Sequence, residues 1–316
     1  MEVLEPNTIP VDTALTEKQS AIIKTLLYFS VFRYPLTIKE IHENCQCQKI
    51  TLSETEAALN KLVQAGYIWK TEQFYSVNDD ISVVDRRKKG NKLAEKYLLK
   101  AKRYTKLISC FPFVEAVFLS GSLAKGYVDE EGDIDYFIIT KPGRLWLCRT
   151  LLVTFKKAFL FNSHKYFCVN YFIDSNNLEV PDKNIFTATE LVFARPMYNK
   201  NLCSDFFEAN QWKDNFYPNK PIANLSIVPP AGKNLLKKIN ERLLKGSIGE
   251  KLDQWCFKFT LAHWKKKFSD FDESTFDLNV RSRKNVSKHH PNGFQQKVLK
   301  AHEESIKAFN KKIMSG

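Results

Sequence analysis

The sequence predicts an α+β protein with a mixed central sheet and flanking helices. The middle of the chain carries apolar strand-like runs and one helical run in the order strand, strand, helix, strand. On either side, apolar residues recur at the three- and four-residue spacing of helices. Hydrophobic residues form 44% and charged residues 26% of the 316 positions, which is typical of a folded chain rather than a disordered one.

Three helical runs and a hairpin are predicted near the N-terminus. The third run begins after Ser53, which with Glu56 forms a predicted capping box. Residues 68–77 then alternate as a small hairpin. This order resembles a winged helix-turn-helix domain, which we assign to residues 14–82.

That resemblance implies that the third helix could enter a DNA groove. Its exposed start carries Glu54 and Glu56, and Lys61 is its only basic residue. Carboxylates at that position would repel phosphates. We therefore favour a protein-docking or structural role for this region, and DNA binding remains the alternative.

The central region, residues 83–227, starts with a long basic helix and continues into the strand-rich part. Its predicted elements are, in order, a helix over Asp85–Ser109, strands over 113–121 and 133–140, a helix over Arg144–Phe161, a strand over 164–174 and a helix ending near Ala194.

The last region, residues 228–316, follows a proline-rich break and is predicted to be helical and basic. Residues 231–316 hold nineteen Lys and Arg against nine Asp and Glu, and so most of the net charge of +13. A contact with a polyanion is therefore predicted here.

Two short motifs in the centre carry the candidate chemistry. Gly121 and Ser122 end one strand, and Asp133 and Asp135 lie on the next. Alternation puts both carboxylates on one face, roughly 6 to 7 Å apart along the strand. Paired carboxylates without histidine suit Mg²⁺ rather than Zn²⁺. A helix beginning at the Gly-Ser turn would present free N–H groups to an anion.

The order and spacing of these motifs resemble the DNA polymerase β-like nucleotidyltransferase superfamily, over about residues 112–198. The resemblance implies that Gly121 and Ser122 hold the triphosphate of an NTP substrate. It also implies that Asp133 and Asp135 are catalytic and bind Mg²⁺, as two ions. The implied reaction moves a nucleoside monophosphate to an acceptor that the sequence does not name.

The resemblance also implies a third carboxylate on the strand over 164–174. By alternation Tyr166, Cys168, Asn170, Phe172 and Asp174 share one face of it. Asn170 occupies the expected position, where its carbonyl could coordinate metal but could not act as a base. Asp174 and Glu190 are the more distant candidates.

Several other groups have open alternatives. Lys125 and Lys141 could assist the phosphates or lie on the solvated surface. His289 and His290 could hold an acceptor phosphate, although we favour a solvated loop.

The aromatic residues beside the lysines at 265–267 could lie on a membrane surface but are more typical of a core. These aromatic residues are Trp255, Phe257, Phe259 and Trp264.

The seven cysteines are scattered and none forms a C-x-x-C pair, which predicts reduced thiols in the cytoplasm. The most apolar stretch is too short and too charged to span a bilayer, so no membrane partner is predicted.

Two rival functions remain beside the enzyme. One is a regulator that binds DNA or a protein partner through the winged-helix-like domain and senses nucleotide without turnover, which Asn170 at the expected carboxylate position favours. The other is a nucleic-acid-binding protein that works through its basic C-terminal region.

Overall fold

The computed structural model describes residues 15–46, 50–163, 165–232 and 234–314. The helices of these residues are α1 (Glu17–Ser30), α2 (Ile38–Asn44), α3 (Leu52–Gln64), α4 (Ser82–Ser109), α5 (Gly121–Ala124), α6 (Leu145–Phe159), α7 (Ile185–Phe193), α8 (Lys200–Ala209), α9 (Leu235–Leu243), α10 (Ser247–Lys267), α11 (Glu273–Asn279) and α12 (Phe294–Met314), with a 3₁₀ helix over Gln211–Asn215. The strands are β1 (Leu36–Thr37), β2 (Trp69–Thr71), β3 (Phe74–Ser76), β4 (Val114–Ser120), β5 (Asp135–Thr140), β6 (Cys168–Asp174), β7 (Arg195–Tyr198), β8 (Ser282–Arg283) and β9 (Val286–Lys288). The predicted α+β class with mixed sheets is confirmed.

The N-terminal region packs α1, α2 and α3 against a small antiparallel sheet in the order β1-β3-β2. Ile22, Ile23 and Leu26 of α1 recur at helical spacing and are buried in the core of this region. Hydrophobic burial of this one face, rather than helix propensity, holds such short helices in place.

The capping box of α3 differs from the prediction. The hydroxyl of Thr51 accepts a hydrogen bond from the Glu54 N–H at 3.2 Å, and the Glu54 carboxylate accepts one from the Thr51 N–H at 2.8 Å. Thr51 has the extended backbone that an N-cap needs, whereas Ser53 already lies inside the helix. The predicted pair of Ser53 and Glu56 is therefore wrong by two positions.

We expect Thr51→Ala to lower the free energy of unfolding by about 1 kcal/mol, because it leaves the Glu54 N–H of the first turn without its acceptor. Ser53→Ala is the matched control, since its hydroxyl does not cap the helix, and it should cost little. Urea unfolding of both variants measures the difference. An equal loss in the two variants would contradict the Thr51 cap.

The central sheet has six strands in the order β7-β4-β5-β6-β9-β8. Strand β4 pairs antiparallel with β5, and β5 pairs parallel with β6 after the α6 crossover. Helices α4, α6 and α10 cover one face, and α7 and α8 cover the other. The sheet is therefore buried on both faces, which explains why its strands read as nearly continuous apolar runs.

The C-terminal region contributes more than the helices that the sequence predicted. Strand β9 pairs antiparallel with β6, and β8 extends the same sheet. Helix α12 packs on α1, where Val298 and Ile306 join the N-terminal core. Two or three residues are too few to show a strand period, so the sequence could not indicate β8 and β9.

Candidate functional site

At the end of β4, the backbone of Gly121 lies close to the carboxylate of Asp135 on the neighbouring strand β5. Ser120 lies opposite Asp135 in the β4–β5 ladder, and Gly121 follows with φ +66°. A Cβ atom on Gly121 would lie 2.5 Å from Oδ2 of Asp135. Glycine is required here both for its left-handed backbone and for this close approach. The side chain of Ser122 is exposed beside it.

Helix α5 begins at this turn but is only one turn long, because it ends at Ala124. The predicted helix start at the Gly-Ser turn is thus present, with a smaller dipole than a full helix would give. Ser122 and the exposed backbone of the turn are the groups that it offers to an anion.

Asp133 and Asp135 converge although only Asp135 belongs to β5. Ile134 between them is fully buried, and its backbone pairs with the backbone of Lys165 and Cys168. Burial of Ile134 turns the two carboxylates to the other side of the chain. Oxygen atoms of Asp133 and Asp135 and Sγ of Cys168 all lie within 4.8 Å of one another.

Asn170 lies at a bulge in β6 that the sequence did not reveal. The β5–β6 register shifts where Val169 pairs with Tyr136 and Tyr171 pairs with Phe137, so Asn170 is the extra residue. The predicted common face is therefore wrong beyond Asn170. Asp174 pairs with Thr140 at the other end of β5, and its carboxylate accepts hydrogen bonds from residues 176 and 177.

The bulge aims Asn170 at the paired carboxylates. Its amide Nδ2 donates to Oδ1 of Asp135 at 2.9 Å and to Sγ of Cys168 at 3.6 Å. Asn170 thus orients Asp135 as a donor, and a rotation of the amide would be needed to present its carbonyl oxygen instead. Cys168 was placed on this strand face by the sequence but was given no role there.

The two carboxylates of the site disfavour each other's negative charge. Burial, followed by the charge of Asp133, raises the pKa of Asp135 to about 7. Burial and the two carboxylates raise the pKa of Cys168, which stays a neutral thiol. Ionising both of two adjacent buried carboxylates costs free energy, and a cation placed between them would lower that cost.

Lys125 and Glu190 form an ion pair beside the Gly-Ser turn. Lys125 Nζ lies 2.5 Å from Oε1 of Glu190 and donates to the Gly121 carbonyl at 3.3 Å. The negative charge of Glu190 also contributes to the raised pKa of Asp135. Lys141 is exposed after the opposite end of β5, away from these groups.

A cleft with a volume of about 680 Å³ opens beside the Gly-Ser turn and Asp135, whereas Asp133 and Cys168 are not among its described lining residues. Its walls include Gly121, Ser122, Lys125, Asp135 and Asn170. Residues of the N-terminal region, among them aromatic side chains after α1, form the facing wall. This volume falls in the range of small-molecule sites.

The part of the chain that the structure describes has no helix long and apolar enough to cross a membrane. Comparison of the chain with protein-family models, with curated proteins and with solved structures gives no match. The site must therefore be interpreted from its own geometry.

Proposed function

We propose that this protein is a Mg²⁺-dependent nucleotidyltransferase that moves a nucleoside monophosphate from an NTP to an acceptor hydroxyl. The observation that carries the proposal is the close approach of the Gly-Ser turn to Asp135, one of the paired aspartates. The backbone of Gly121 lies so close to Asp135 that a Cβ atom would clash with its carboxylate. A triphosphate held at the turn would therefore lie beside the metal ligands.

The topology supports the same proposal. The Gly-Ser strand β4 is antiparallel to the Asp-x-Asp strand β5, and a helix leads from β5 to the parallel strand β6. We propose that residues 83–227 have the nucleotidyltransferase fold whose motifs they resemble. The three helices and small sheet of residues 15–82 support the proposed winged-helix likeness in the same way.

The donor set fits Mg²⁺. Asp133 and Asp135 supply the carboxylate oxygens that Mg²⁺ prefers, and the neutral thiol of Cys168 is a poor ligand for such a hard ion. When bound, the two Mg²⁺ ions would polarise the α-phosphate and stabilise charge on the departing pyrophosphate.

Other residues of the cleft would orient the metal ligands or bind the triphosphate. Asn170 holds the carboxylate of Asp135 in one orientation. Ser122 offers an exposed hydroxyl to the triphosphate. Lys125 donates to the Gly121 carbonyl of the turn, and in the proposed complex it exchanges Glu190 for a phosphate oxygen.

The other parts of the proposal concern location and partners. No disulfide joins two of the described cysteines, which supports a cytoplasmic protein. Glu54 and Glu56 are exposed on α3, so we propose a protein-docking or structural role for the N-terminal region. The basic C-terminal region is proposed to contact a polyanion.

A nucleotide sensor without turnover is the second candidate. One observation favours it: the two residues of β6 beside Asp135 are Cys168 and Asn170, and neither is a carboxylate. With one acid fewer, the site could bind Mg²⁺ and NTP but activate an acceptor hydroxyl poorly.

The test uses the full chain with Mg²⁺, each α-labelled NTP in turn and a cell extract as the source of acceptor. We expect label to be transferred by the wild type and by Glu131→Gln, which changes an exposed acid of the spacer before Asp133. Asp133→Asn/Asp135→Asn should lose this transfer. Equal labelling by all three proteins would exclude the proposed site, and NTP binding without any transfer would favour the sensor.

A further inference from the structure

Helix α9 is held to the rest of the protein by its polar side. Nζ of Lys237 donates to the backbone carbonyls of Ser109 and Val114. The carboxylate of Glu241 accepts a hydrogen bond from the Phe113 N–H at 2.8 Å. Lys237 and Glu241 are four residues apart and therefore lie on one side of the helix. These two charged side chains fix α9 against residues 109–114.

The apolar side of α9 faces solvent. None of the residues of α9 is buried, and its large apolar residues outside that contact are between 47% and 72% exposed. At about 100° per residue, they fill an arc on the side opposite Lys237 and Glu241. An amphipathic helix normally buries this side, so the orientation of α9 is reversed. The exposed residues are Leu235, Leu236, Ile239 and Leu243.

Helix α10 carries a second exposed apolar side. Its large exposed apolar residues recur every three or four positions, so they form one ridge. The carboxylate of Asp253, on another side of the helix, is buried and accepts a hydrogen bond from the Leu147 N–H at 2.9 Å. The core therefore holds α10 by that side and leaves the ridge outside. The ridge consists of Ile248, Leu252, Trp255 and Phe259.

A short, well-held turn joins the two helices. Only residues 244–246 separate α9 from α10, and the guanidinium of Arg144 donates to the Gly246 carbonyl at 3.1 Å. A Cβ atom on Gly249 would overlap the Leu244 carbonyl, so the turn packs closely on α10. We call the four exposed residues of α9 and the four of the ridge together the apolar face.

The sequence favoured a core position for the four aromatic residues of α10. This prediction is correct for Trp264, which is buried, and for Phe257, which packs on Trp146 at 5.0 Å. It is wrong for Trp255 and Phe259, whose rings stack on each other outside the core with centroids 5.5 Å apart. Exposed apolar patches of this kind mark contacts with a protein or a membrane.

Cations accompany the apolar face. Among the exposed residues of the segment 235–267, Glu250 is the one acid. A second copy of this chain would bring like charges together at the contact, which disfavours self-association. The occupant that fits is anionic. The exposed cations of the segment are Lys238, Arg242, Lys245, Lys251, Lys258, Lys265, Lys266 and Lys267.

The composition of the face favours a lipid surface over an acidic protein. All of these cations except Arg242 are lysines, and lysine is depleted at protein–protein interfaces. Helices that lie in a membrane surface combine Lys and Arg with Leu, Phe and Trp on the side that enters the lipid. Helices α9 and α10 have this combination.

We infer that the apolar face of α9 and α10 inserts into the surface of a membrane that contains anionic lipids. The apolar side chains enter the boundary between headgroups and acyl chains, and the lysines contact lipid phosphates. The sequence predicted no membrane partner because its most apolar stretch cannot span a bilayer, but a helix that lies in the surface needs no spanning segment. This inference does not rest on the proposed function.

Co-sedimentation of the full chain with vesicles, without NTP or Mg²⁺, tests the inference apart from nucleotidyl transfer. The vesicles are phosphatidylcholine alone or phosphatidylcholine with about 30% phosphatidylserine. We expect the protein to bind the phosphatidylserine vesicles at least about tenfold more tightly. Added salt should reduce this preference, because it screens the lysines.

Substitutions in either helix should weaken vesicle binding. Leu236→Ser/Leu243→Ser in α9 and Trp255→Ser/Phe259→Ser in α10 should each weaken it at least about tenfold, because fewer apolar side chains enter the lipid. Lys238→Gln/Lys258→Gln should weaken binding to the phosphatidylserine vesicles roughly twentyfold, because two cations near the anionic surface are lost.

The chain offers matched controls outside the two helices. Ile222→Ser/Ile227→Ser changes isoleucines that are 92% and 81% exposed, and Lys61→Gln/Lys297→Gln removes two exposed charges from α3 and α12. Both controls should bind vesicles as the wild type does. Since all the substituted side chains are exposed, every variant should keep the wild-type melting temperature, which checks that it folds.

Four results would overturn the inference. Equal weakening in the controls would exclude the apolar face as the contact. Weakening by Lys238→Gln/Lys258→Gln alone would mean a charge contact without insertion. A dimer that Leu236→Ser/Leu243→Ser dissociates in sedimentation velocity, without vesicle binding by the wild type, would assign the face to a second copy. Binding of poly-glutamate in place of the vesicles would assign it to an acidic protein.

Discussion

Gly121→Ala is expected to lower the rate of the proposed nucleotidyl transfer at least about a hundredfold, since a displacement of about 1 Å at a reacting centre has this effect. The added Cβ would lie 2.5 Å from Oδ2 of Asp135, so the carboxylate must move. The movement also breaks its alignment with Asn170, which now donates to Oδ1 at 2.9 Å. Steady-state transfer and Mg²⁺ titration of the variant measure the effect.

Gly126→Ala is the matched control for this variant. Gly126 also has a positive φ, +78°, but a Cβ there would meet nothing within 4 Å. Both variants should lose about 1 kcal/mol of stability because of the left-handed backbone, and Gly121→Ala should lose somewhat more. Only Gly121→Ala should lose transfer. A similar loss of transfer in Gly126→Ala would mean that strain, not the contact with Asp135, is responsible.

The sequence alone predicted those residues of the candidate site whose positions depend only on neighbouring residues and adjacent strands. Gly121 and Ser122 follow β4 directly and Asp135 begins the adjacent strand β5, so strand order is enough to bring the turn to Asp135. Alternation is enough to place Asp133, two residues before Asp135, on the same side. Ile134 shows why this works. A single apolar residue between two acids, once buried, turns both acids to the same side.

The rest of the site depends on geometry that a sequence pattern does not encode. The bulge at Asn170 inserts one residue into β6, so alternation assigned Asp174 to the wrong face. Glu190 comes from a distant helix, and its approach to Lys125 depends on how α7 packs. His289 was favoured as solvated but packs on Trp264 at 4.8 Å, because β9 draws this segment to the sheet.

Adding a third carboxylate should make the stability of the protein depend on Mg²⁺. In Asn170→Asp, the donor to Asp135 is replaced by a third negative charge within hydrogen-bond distance. Without metal we expect the free energy of unfolding to fall by about 2 kcal/mol, because a hydrogen bond to a charged group is lost and like charges are brought together.

Mg²⁺ should reverse this loss. A third carboxylate adds a full charge to the ligand set, and even at an effective dielectric of about 20 one charge at 4 Å contributes several kcal/mol. We therefore expect Mg²⁺ to bind about a hundredfold more tightly than to the wild type. The melting temperature of the variant, measured against Mg²⁺ concentration, should rise from below that of the wild type to above it.

Asn177→Asp is the matched control, because Asn177 donates to Asp174 at 2.7 Å with the same amide-to-carboxylate geometry but away from the paired aspartates. It should lose stability that Mg²⁺ does not restore.

Cys168→Asp tests the other position beside Asp135. If Cys168→Asp gains Mg²⁺ affinity and Asn170→Asp does not, the position of the missing ligand is 168. The bulge residue is then an orienting donor only, and its conversion to an acid should slow transfer. If Asn170→Asp both binds Mg²⁺ more tightly and transfers nucleotide faster, the amide at position 170 limits the rate of transfer in the wild type. That outcome would favour a slow or regulated enzyme over a sensor, because the remaining geometry would then be competent for chemistry.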